Sequence, residues 1–352
     1  MPERFDYLTP KTRIVFGNGR VRELPAEVRR VNMSRVLVLC SKGRKELATS
    51  ISAGLGEASA GICDEALPNM PRAAFDVVMQ TLAARKADGF VAVGGGSSVG
   101  LAKAVSVASQ VPFIAVVTTL SGSEMSQKWA LGRGLGRAGG SDERALPVAV
   151  IYDPELVAGL PPHVVAASGL NAIAHAVESL YGRETNPVVQ TLCEEAIGRL
   201  SKSLPKIIAG PGSVDDCNEA LYGAWLAGTF RATIAIHHVI AQQVRQLFDL
   251  DHAKTHAVML PYALAFNAPA IPHVMGRLQR ALGAAHPSQA LFDLNVQLGL
   301  PTSLVELGMS KDQLPDAVDV VMQVACHNPR PFSRSDVAAI LDQALAGQRP
   351  DA

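Results

Sequence analysis

An excess of charge of either sign is missing from this chain: 32 Lys and Arg stand against 32 Asp and Glu in 352 residues. Such a balance leaves no electrostatic footprint for nucleic acid or an anionic membrane surface. A membrane-spanning apolar run is also missing, since the longest, Val105 to Val117, is broken by Ser106, Ser109, Gln110 and Pro112. The opening Met-Pro-Glu-Arg-Phe-Asp has no apolar signal-peptide region. Cysteine is sparse and unpatterned. The five (Cys40, Cys63, Cys193, Cys217, Cys326) form no CxxC pair and are odd in number, so disulfides are not expected and a reducing cytoplasm is. No GxGxxG fingerprint, internal repeat or low-complexity tract is present. With 48% apolar residues, the chain can build one large core or two ordinary ones, and a cytoplasmic enzyme is the expected class.

The stretch Val91 to Lys103, Val-Ala-Val-Gly-Gly-Gly-Ser-Ser-Val-Gly-Leu-Ala-Lys, is the most informative. Phe90 to Val93 read as a strand buried on both faces, and the glycines that follow allow positive φ and close approach of a ligand. Ser97 or Ser98 is expected to cap a helix running to about Ala108, whose unpaired N–H groups and dipole would face a phosphate. A tight turn without a ligand also uses glycine, but three in succession exceed what a turn needs.

Around this stretch, Arg13–Phe16, Arg35–Cys40, Phe113–Val117 and Val148–Tyr152 read as strands and Gly61–Asp64 as a weaker one, with helices at Lys45–Leu55 and Pro71–Lys86. The alternation predicts βαβ units and a parallel sheet, with ligands at the carboxyl ends of its strands. Ser41, Gly94, Gly95, Gly96, Ser97, Ser98, Thr118 and Thr119 then share one edge, a line of contacts for a dinucleotide. Leu120 to Pro147 is rich in glycine and reads as a mobile loop or hairpin. The expected division is an α/β nucleotide domain over residues 1–156 and a helical domain over 157–352.

Beyond Pro161-Pro162 the pattern becomes helical, with helices at Val164–Tyr181, Asn186–Ile208, Val214–Phe230, Ile234–Phe248 and from His256 onward, and with breaks at Gly210-Pro211, Pro261, Pro269 and Pro272. Three pairs are spaced i,i+4 and so share a helix face: Asn171 with His175, His238 with Gln242, His252 with His256. A lone His237 on an apolar helix reads as a core residue, whereas the set of pairs points to a shared polar site. Imidazoles and amides without a carboxylate other than Asp251 could hold a metal weakly, or could move protons and polarise a carbonyl.

Taken in order, these residues resemble the iron-containing (group III) alcohol dehydrogenases, and among them the maleylacetate reductases. The resemblance covers nearly the whole chain. It rests on Gly94-Gly95-Gly96-Ser97 with Gly100-Leu101-Ala102-Lys103, Thr118-Thr119 followed by Ser121-Gly122-Ser123-Glu124-Met125, and Tyr152-Asp153-Pro154-Glu155-Leu156. It continues through Ser168 to Glu178, His237-His238, His252-Ala253-Lys254-Thr255-His256 and Asn328-Pro329-Arg330-Pro331.

The resemblance implies the iron-type alcohol dehydrogenase (dehydroquinate synthase-like) fold: an N-terminal dinucleotide-binding α/β domain, an all-α C-terminal domain, an active site in the cleft between them, and a homodimer. It implies reduction of the C=C bond of maleylacetate, or of chlorinated maleylacetates with dehalogenation, by NADH or NADPH in aromatic degradation. Ser123 joins the cofactor contacts. The metal ligands of metal-dependent relatives, an Asp and three His, fall on Asn171, His175, His238 and His252. Asn in place of Asp is like the maleylacetate reductases, so no obligatory metal is implied. The chain departs from the usual pattern at Gln242 (His), Leu120 (Tyr), Lys254 (Glu), Arg137 (Lys) and Gly100 (Asp in metal-dependent relatives). Hydride addition to an enone places negative charge on the ketone oxygen, and His175, His238, His252 and His256 are the expected donors to it. Lys254, Arg137, Lys128 and Arg245 are available cations for a small dicarboxylate substrate, with Asn171 and Gln242 lining its site. Ser41 stands where an acidic residue would select NAD, and Lys42, Arg44 and Lys45 follow it; NADH is expected, with NADPH accepted. The other readings are a metal-dependent alcohol or aldehyde dehydrogenase, or a non-redox descendant of the fold.

Overall fold

The computed structural model describes residues 4–7, 9, 11–132, 138–210, 213–230 and 234–351. The chain forms two compact units, Leu8–Leu160 and Met1–Tyr7 with Pro161–Ala352. This differs from the expected 1–156 and 157–352. The Asp153 carboxylate explains the later boundary: it accepts from the N–H groups of Gly19 (3.1 Å), Val21 (3.0 Å) and Glu155 (3.1 Å), so the short helix behind it stays with the sheet. At the other end, Tyr7 lies beside Cys193 of the helical unit.

The first unit contains β1 (Arg13–Phe16), α1 (Leu24–Arg30), β2 (Val36–Cys40), α2 (Lys45–Leu55), β3 (Ser59–Cys63), α3 (Arg72–Arg85), β4 (Gly89–Gly94), α4 (Gly96–Ser109), β5 (Phe113–Val117), β6 (Lys128–Leu131), β7 (Ala138–Ser141), β8 (Ala149–Tyr152) and α5 (Pro154–Ala158). Six strands form a parallel sheet in the order β1-β8-β5-β4-β2-β3. The central strands are apolar at every position because both faces are covered. Val36, Val38, Val91, Val93, Ile114 and Val116 pack with Leu24, Val28, Ala48 and Ile51, while Phe90 and Phe113 stack at 5.3 Å on the other face.

Two local expectations change, and a third, left between a loop and a hairpin, is decided. The weak strand forms, but as edge strand β3, slipped toward Ser59, with Gly61 at φ 99° and a register shift against β2. The cap of α4 is Gly95, not Ser97 or Ser98; Gly94, at φ 142°, turns the chain early enough to draw both serines into the first helical turn. The glycine-rich segment forms an antiparallel hairpin, with Lys128 opposite Ser141 and Leu131 opposite Ala138.

The second unit is built from α6 (Pro162–Tyr181), α7 (Pro187–Ala209), α8 (Val214–Gly228), α9 (Ile236–Leu247), α10 (His252–Asn267), α11 (Pro272–Leu282), α12 (Pro287–Gln297), α13 (Leu314–Met322) and α14 (Arg334–Ala346), with no strand among its described residues. Its core joins Val239, Ile240 and Val244 of α9 to Val258, Met259 and Tyr262 of α10 and to Val321, Ile340 and Leu341. Helix α10 corrects the expected start at His256 and break at Pro261. It begins four residues earlier because Asp251 caps it, accepting from the Lys254 N–H at 2.9 Å. It passes through Pro261 because the carbonyl that proline leaves unbonded, Ala257 four residues back, accepts instead from Asn295 Nδ2 of α12 at 2.7 Å. Among the described residues no helix is long and apolar enough to cross a membrane.

Candidate functional site

The three glycines of the β4–α4 turn do different work. A Cβ at Gly94 would lie 2.5 Å from Ser98 Oγ, and one at Gly95 would lie 2.5 Å from the Thr119 side chain, so both are required by the turn's own packing. A Cβ at Gly96 would meet no described atom within 4 Å. Gly96 is exposed and opens α4, where the first N–H groups have no intrahelical acceptor. Beside the turn, the buried hydroxyls Thr118 Oγ1 and Thr119 Oγ1 have no hydrogen-bond partner among the described residues. Backbone donors, unused hydroxyls and room at one glycine suit the diphosphate of a dinucleotide. Ser97 is half-buried, whereas Ser98 is buried under Gly94 and serves the turn.

Ser41 follows β2 and bridges to Glu65, so it stands at the sheet's carboxyl edge as expected. Of the cations behind it, Lys45 is held by Asp64 at 3.0 Å. Ser123 shares a 3.1 Å hydrogen bond with Ser121 and gives its carbonyl to the ammonium of Lys103, which also donates to the carbonyls of Ser126 (2.7 Å) and Lys128 (3.2 Å). Lys103 is buried, and burial pushes its pKa down to about 8 against the pull of Glu124. That clamp was not anticipated. Gly100 stands against the Met70 side chain, which fills the space a larger residue would need.

The helical unit gathers imidazoles from three helices. Ring centroids run from His175 on α6 to His238 on α9 at 4.4 Å, to His256 on α10 at 4.8 Å and to His252 at 4.6 Å. His237 flanks His238 at 4.8 Å and His256 at 5.1 Å. Asn171 lies one turn before His175, buried, its Oδ1 without a partner. Gln242 and Lys254 are half-buried on α9 and α10, outside this run of ring contacts. Arg137 lies outside the described residues.

Glu178 carries no role in the sequence reading, whereas His237, read there as a core residue, is fully buried with both ring nitrogens engaged. Glu178 is three residues after His175 on the same face of α6, a spacing that could have flagged it. Its carboxylate meets His238 Nδ1 at 2.5 Å and accepts from the Ala235 N–H (3.0 Å) and the His238 N–H (3.3 Å). Burial pushes the Glu178 pKa up, opposed by the charge attraction of His237 and these N–H donors. The network assigns the tautomers. His237 Nε2 is 2.9 Å from the His256 carbonyl, which can only accept, so Nε2 carries the proton and Nδ1 is bare. That bare nitrogen is 3.2 Å from His238 Nδ1, so the His238 proton sits on Nδ1, shared between His237 and Glu178. Nε2 is then the nitrogen through which His238 accepts or delivers a proton.

Burial and the neighbouring His238 push the His237 pKa down to about 4, and burial with the other four imidazoles pushes His256 well below its usual value. His256 is fully buried and neither ring nitrogen has a partner. His252 keeps an exposed edge, yet the protein packed around its ring and the Arg245 guanidinium push its pKa down to about 4. At neutral pH these three rings are uncharged.

At Asn171, His175, His238 and His252 a divalent iron would find three imidazoles and a neutral amide, with no anion to neutralise it. The nearby carboxylate, Glu178, is committed to His238 Nδ1 and to backbone N–H groups. The ring nitrogens of His237, His238 and His256 come within 4.8 Å of one another, but both nitrogens of His237 are engaged. The arrangement does not fit a ferrous site. Its imidazoles and amide can donate hydrogen bonds and pass a proton.

Comparison with known proteins agrees with both halves. Residues 10–154 match the family described as iron-containing alcohol dehydrogenase, and residues 165–345 match the C-terminal part of the Fe-containing alcohol dehydrogenase family. A maleylacetate reductase of Delftia acidovorans is 40% identical over 98% of both chains. The structure of a maleylacetate reductase from Rhizobium sp. superposes with a TM-score of 0.95 at 34% identity, over 99% of this chain and 100% of that one. That of the maleylacetate reductase from Agrobacterium tumefaciens gives 0.95 at 33%, with the same coverage.

Proposed function

The chain belongs to the iron-containing alcohol dehydrogenase family, and from that premise we propose that it reduces the carbon–carbon double bond of maleylacetate to 3-oxoadipate, with NADH as hydride source and NADPH also accepted. The observation that carries the reading is the cluster of histidines in ring contact with Asn171 one turn from it, together with relatives that are maleylacetate reductases along the whole chain. The balance is one hydride to the carbon distal to the ketone and one proton to the carbon beside it.

A bound nicotinamide supplies the hydride. The chain's own groups do the rest. Gly96, the start of α4, Thr118, Thr119, Ser41 and Ser123 hold the dinucleotide. As hydride arrives, charge builds on the ketone oxygen, and N–H donors from His175, His252, His256 and the Asn171 amide meet it, each worth roughly a few kcal/mol as in oxyanion holes. His238 delivers the proton from Nε2, and the Glu178 carboxylate on Nδ1 stabilises its protonated form. Lys254 and Arg137 take the substrate carboxylates, and Gln242 lines the site. The enzyme acts without an obligatory metal, as a cytoplasmic homodimer in aromatic degradation; the five free cysteines agree with a reducing compartment.

Oxidation of NADH and NADPH with maleylacetate, each with and without a chelator, tests this. Turnover that survives chelation is expected. No oxidation of either cofactor sinks the proposal, and loss on chelation with recovery on added iron favours a metal-dependent alcohol or aldehyde dehydrogenase.

A further inference from the structure

The Asn328-Pro329-Arg330-Pro331 segment has no part in the chemistry above, yet it is tied to the helices that carry the histidines. Helix α9 presents His237 and His238 in its first turn but begins at Ala235 with no side-chain cap of its own. Its first N–H groups are satisfied from far away in sequence. Glu178 takes Ala235 and His238, and Asn328 Oδ1 takes Ile236 at 3.4 Å. Asn328 is fixed in turn. Its Nδ2 donates to Asn267 Oδ1 (2.7 Å) and to the Arg330 carbonyl (2.7 Å), and Asn267 Nδ2 donates back at 3.1 Å. Asn267 is fully buried and ends α10. Arg330 donates to the Phe266 carbonyl at 2.8 Å and lies 4.2 Å above the Phe266 ring. The segment therefore fastens the start of α9 to the end of α10.

We propose that Asn328 is a positioning residue for His238: by accepting from Ile236 it holds the first turn of α9 in the orientation that keeps His238 on Glu178. Asn267 and Arg330 hold Asn328 in place. The inference rests on the reading that His238 takes part in the reduction. Without the acceptor, a helix-start N–H loses its partner and the turn can rotate or fray. A displacement near 1 Å at a reacting group lowers turnover by up to about a hundredfold.

The test compares Asn328→Ala, His238→Ala and the double variant Asn328→Ala with His238→Ala, reading kcat with maleylacetate, KM for NADH and Tm. Asn328→Ala is expected to lower kcat at least about tenfold with KM for NADH unchanged. In the His238→Ala background, Asn328→Ala should lower kcat no further, because the group it positions is gone. Equal loss in both backgrounds, or a rise in KM for NADH in place of the loss in kcat, overturns the proposal. Native kcat in His238→Ala overturns the role of His238 in the reaction itself. Should Asn328→Ala fail to fold, Asn267→Ala, which frees Asn328 from its other side, must show the same dependence on His238 at smaller size; equal loss with and without His238 overturns the proposal there too.

Discussion

The glycine turn takes its free backbone N–H groups from consecutive residues, whereas the histidine cluster collects imidazoles from α6, α9 and α10 and fixes one of them through Glu178, which is 60 positions from His238. The first kind of site is backbone in one short stretch; its geometry follows from local dihedrals and from what glycine permits. The second is side chains in a low-dielectric interior, where every uncompensated polar atom costs free energy and the partners must come from elsewhere in the chain. One is set by steric room, the other by hydrogen-bond satisfaction, and they should fail differently.

The largest effect is expected at Glu178. Glu178→Ala strips His238 Nδ1 and the first N–H groups of α9 of their acceptor, so kcat should fall at least about a hundredfold and stability by roughly 3–5 kcal/mol. Steady-state NADH oxidation and urea unfolding measure the two losses. A variant that keeps native kcat would break the idea that the cluster depends on its distant anchor.

The two units should also respond to pH on opposite sides of neutrality. His237 is fully buried with a pKa of about 4 against an ordinary 6.5, so between those values the unfolded chain binds more protons than the folded one. Stability is then full above about pH 6.5 and is lost as pH falls toward 4, by up to about 3 kcal/mol from this group. Lys103, at about 8 against 10.5, has the same sign in a higher window, so its contribution rises from pH 8 upward. Urea midpoints across pH 4 to 10 check both. A flat acid side in native protein would show that the cluster is not held neutral by burial, and Lys103→Met should lose the alkaline rise.

Within the glycine turn, Gly95→Ala forces a methyl onto Thr119 and should lower stability by about 1–3 kcal/mol. Gly96→Ala has room, so stability should change by less than about 0.5 kcal/mol while the NADH Kd rises at least about tenfold. NADH fluorescence titration beside thermal melts separates the two, and normal NADH binding in Gly96→Ala would remove Gly96 from the cofactor contacts.

The last test probes long-range satisfaction away from either site, with an effect on stability and none on binding. Asn295→Ala leaves the Ala257 carbonyl unbonded and should lower stability by about 1–3 kcal/mol. In a Pro261→Ala background, where a backbone N–H returns to that carbonyl, the same substitution should matter less. Equal urea-midpoint shifts in both backgrounds would show that Asn295 stabilises α10 by other means.

Most of the sheet was legible because its signals are local. The bounds of β1, β5 and α2 are those read from periodicity, and the line of strand ends carrying Ser41, Gly94 and Thr118 follows from the parallel order. The sequence pattern puts the start of α10 at His256 and a break at Pro261, although Asp251 is an ordinary capping residue and the helix runs through the proline. The residue that lets the helix continue, Asn295, lies 38 positions away, and no local pattern points to it. In the site, the i,i+4 pairs located the imidazoles. They said nothing about which nitrogen carries a proton, because that depends on a carboxylate and a carbonyl brought in by folding.

By itself, then, the sequence determined what periodicity, glycine permission and side-chain type can encode: a parallel α/β unit, a helical unit, a glycine-rich turn between a buried strand and a helix, and imidazoles and amides paired at helical spacing. Tertiary structure alone decided that Gly96, rather than Gly94 or Gly95, offers room, that burial holds His237 and His256 uncharged, and that the first N–H groups of α9 are met by Glu178 and Asn328. Steric room, local dielectric and hydrogen-bond partners are properties of what lies nearby in space, and the neighbours that set them here come from other strands and helices.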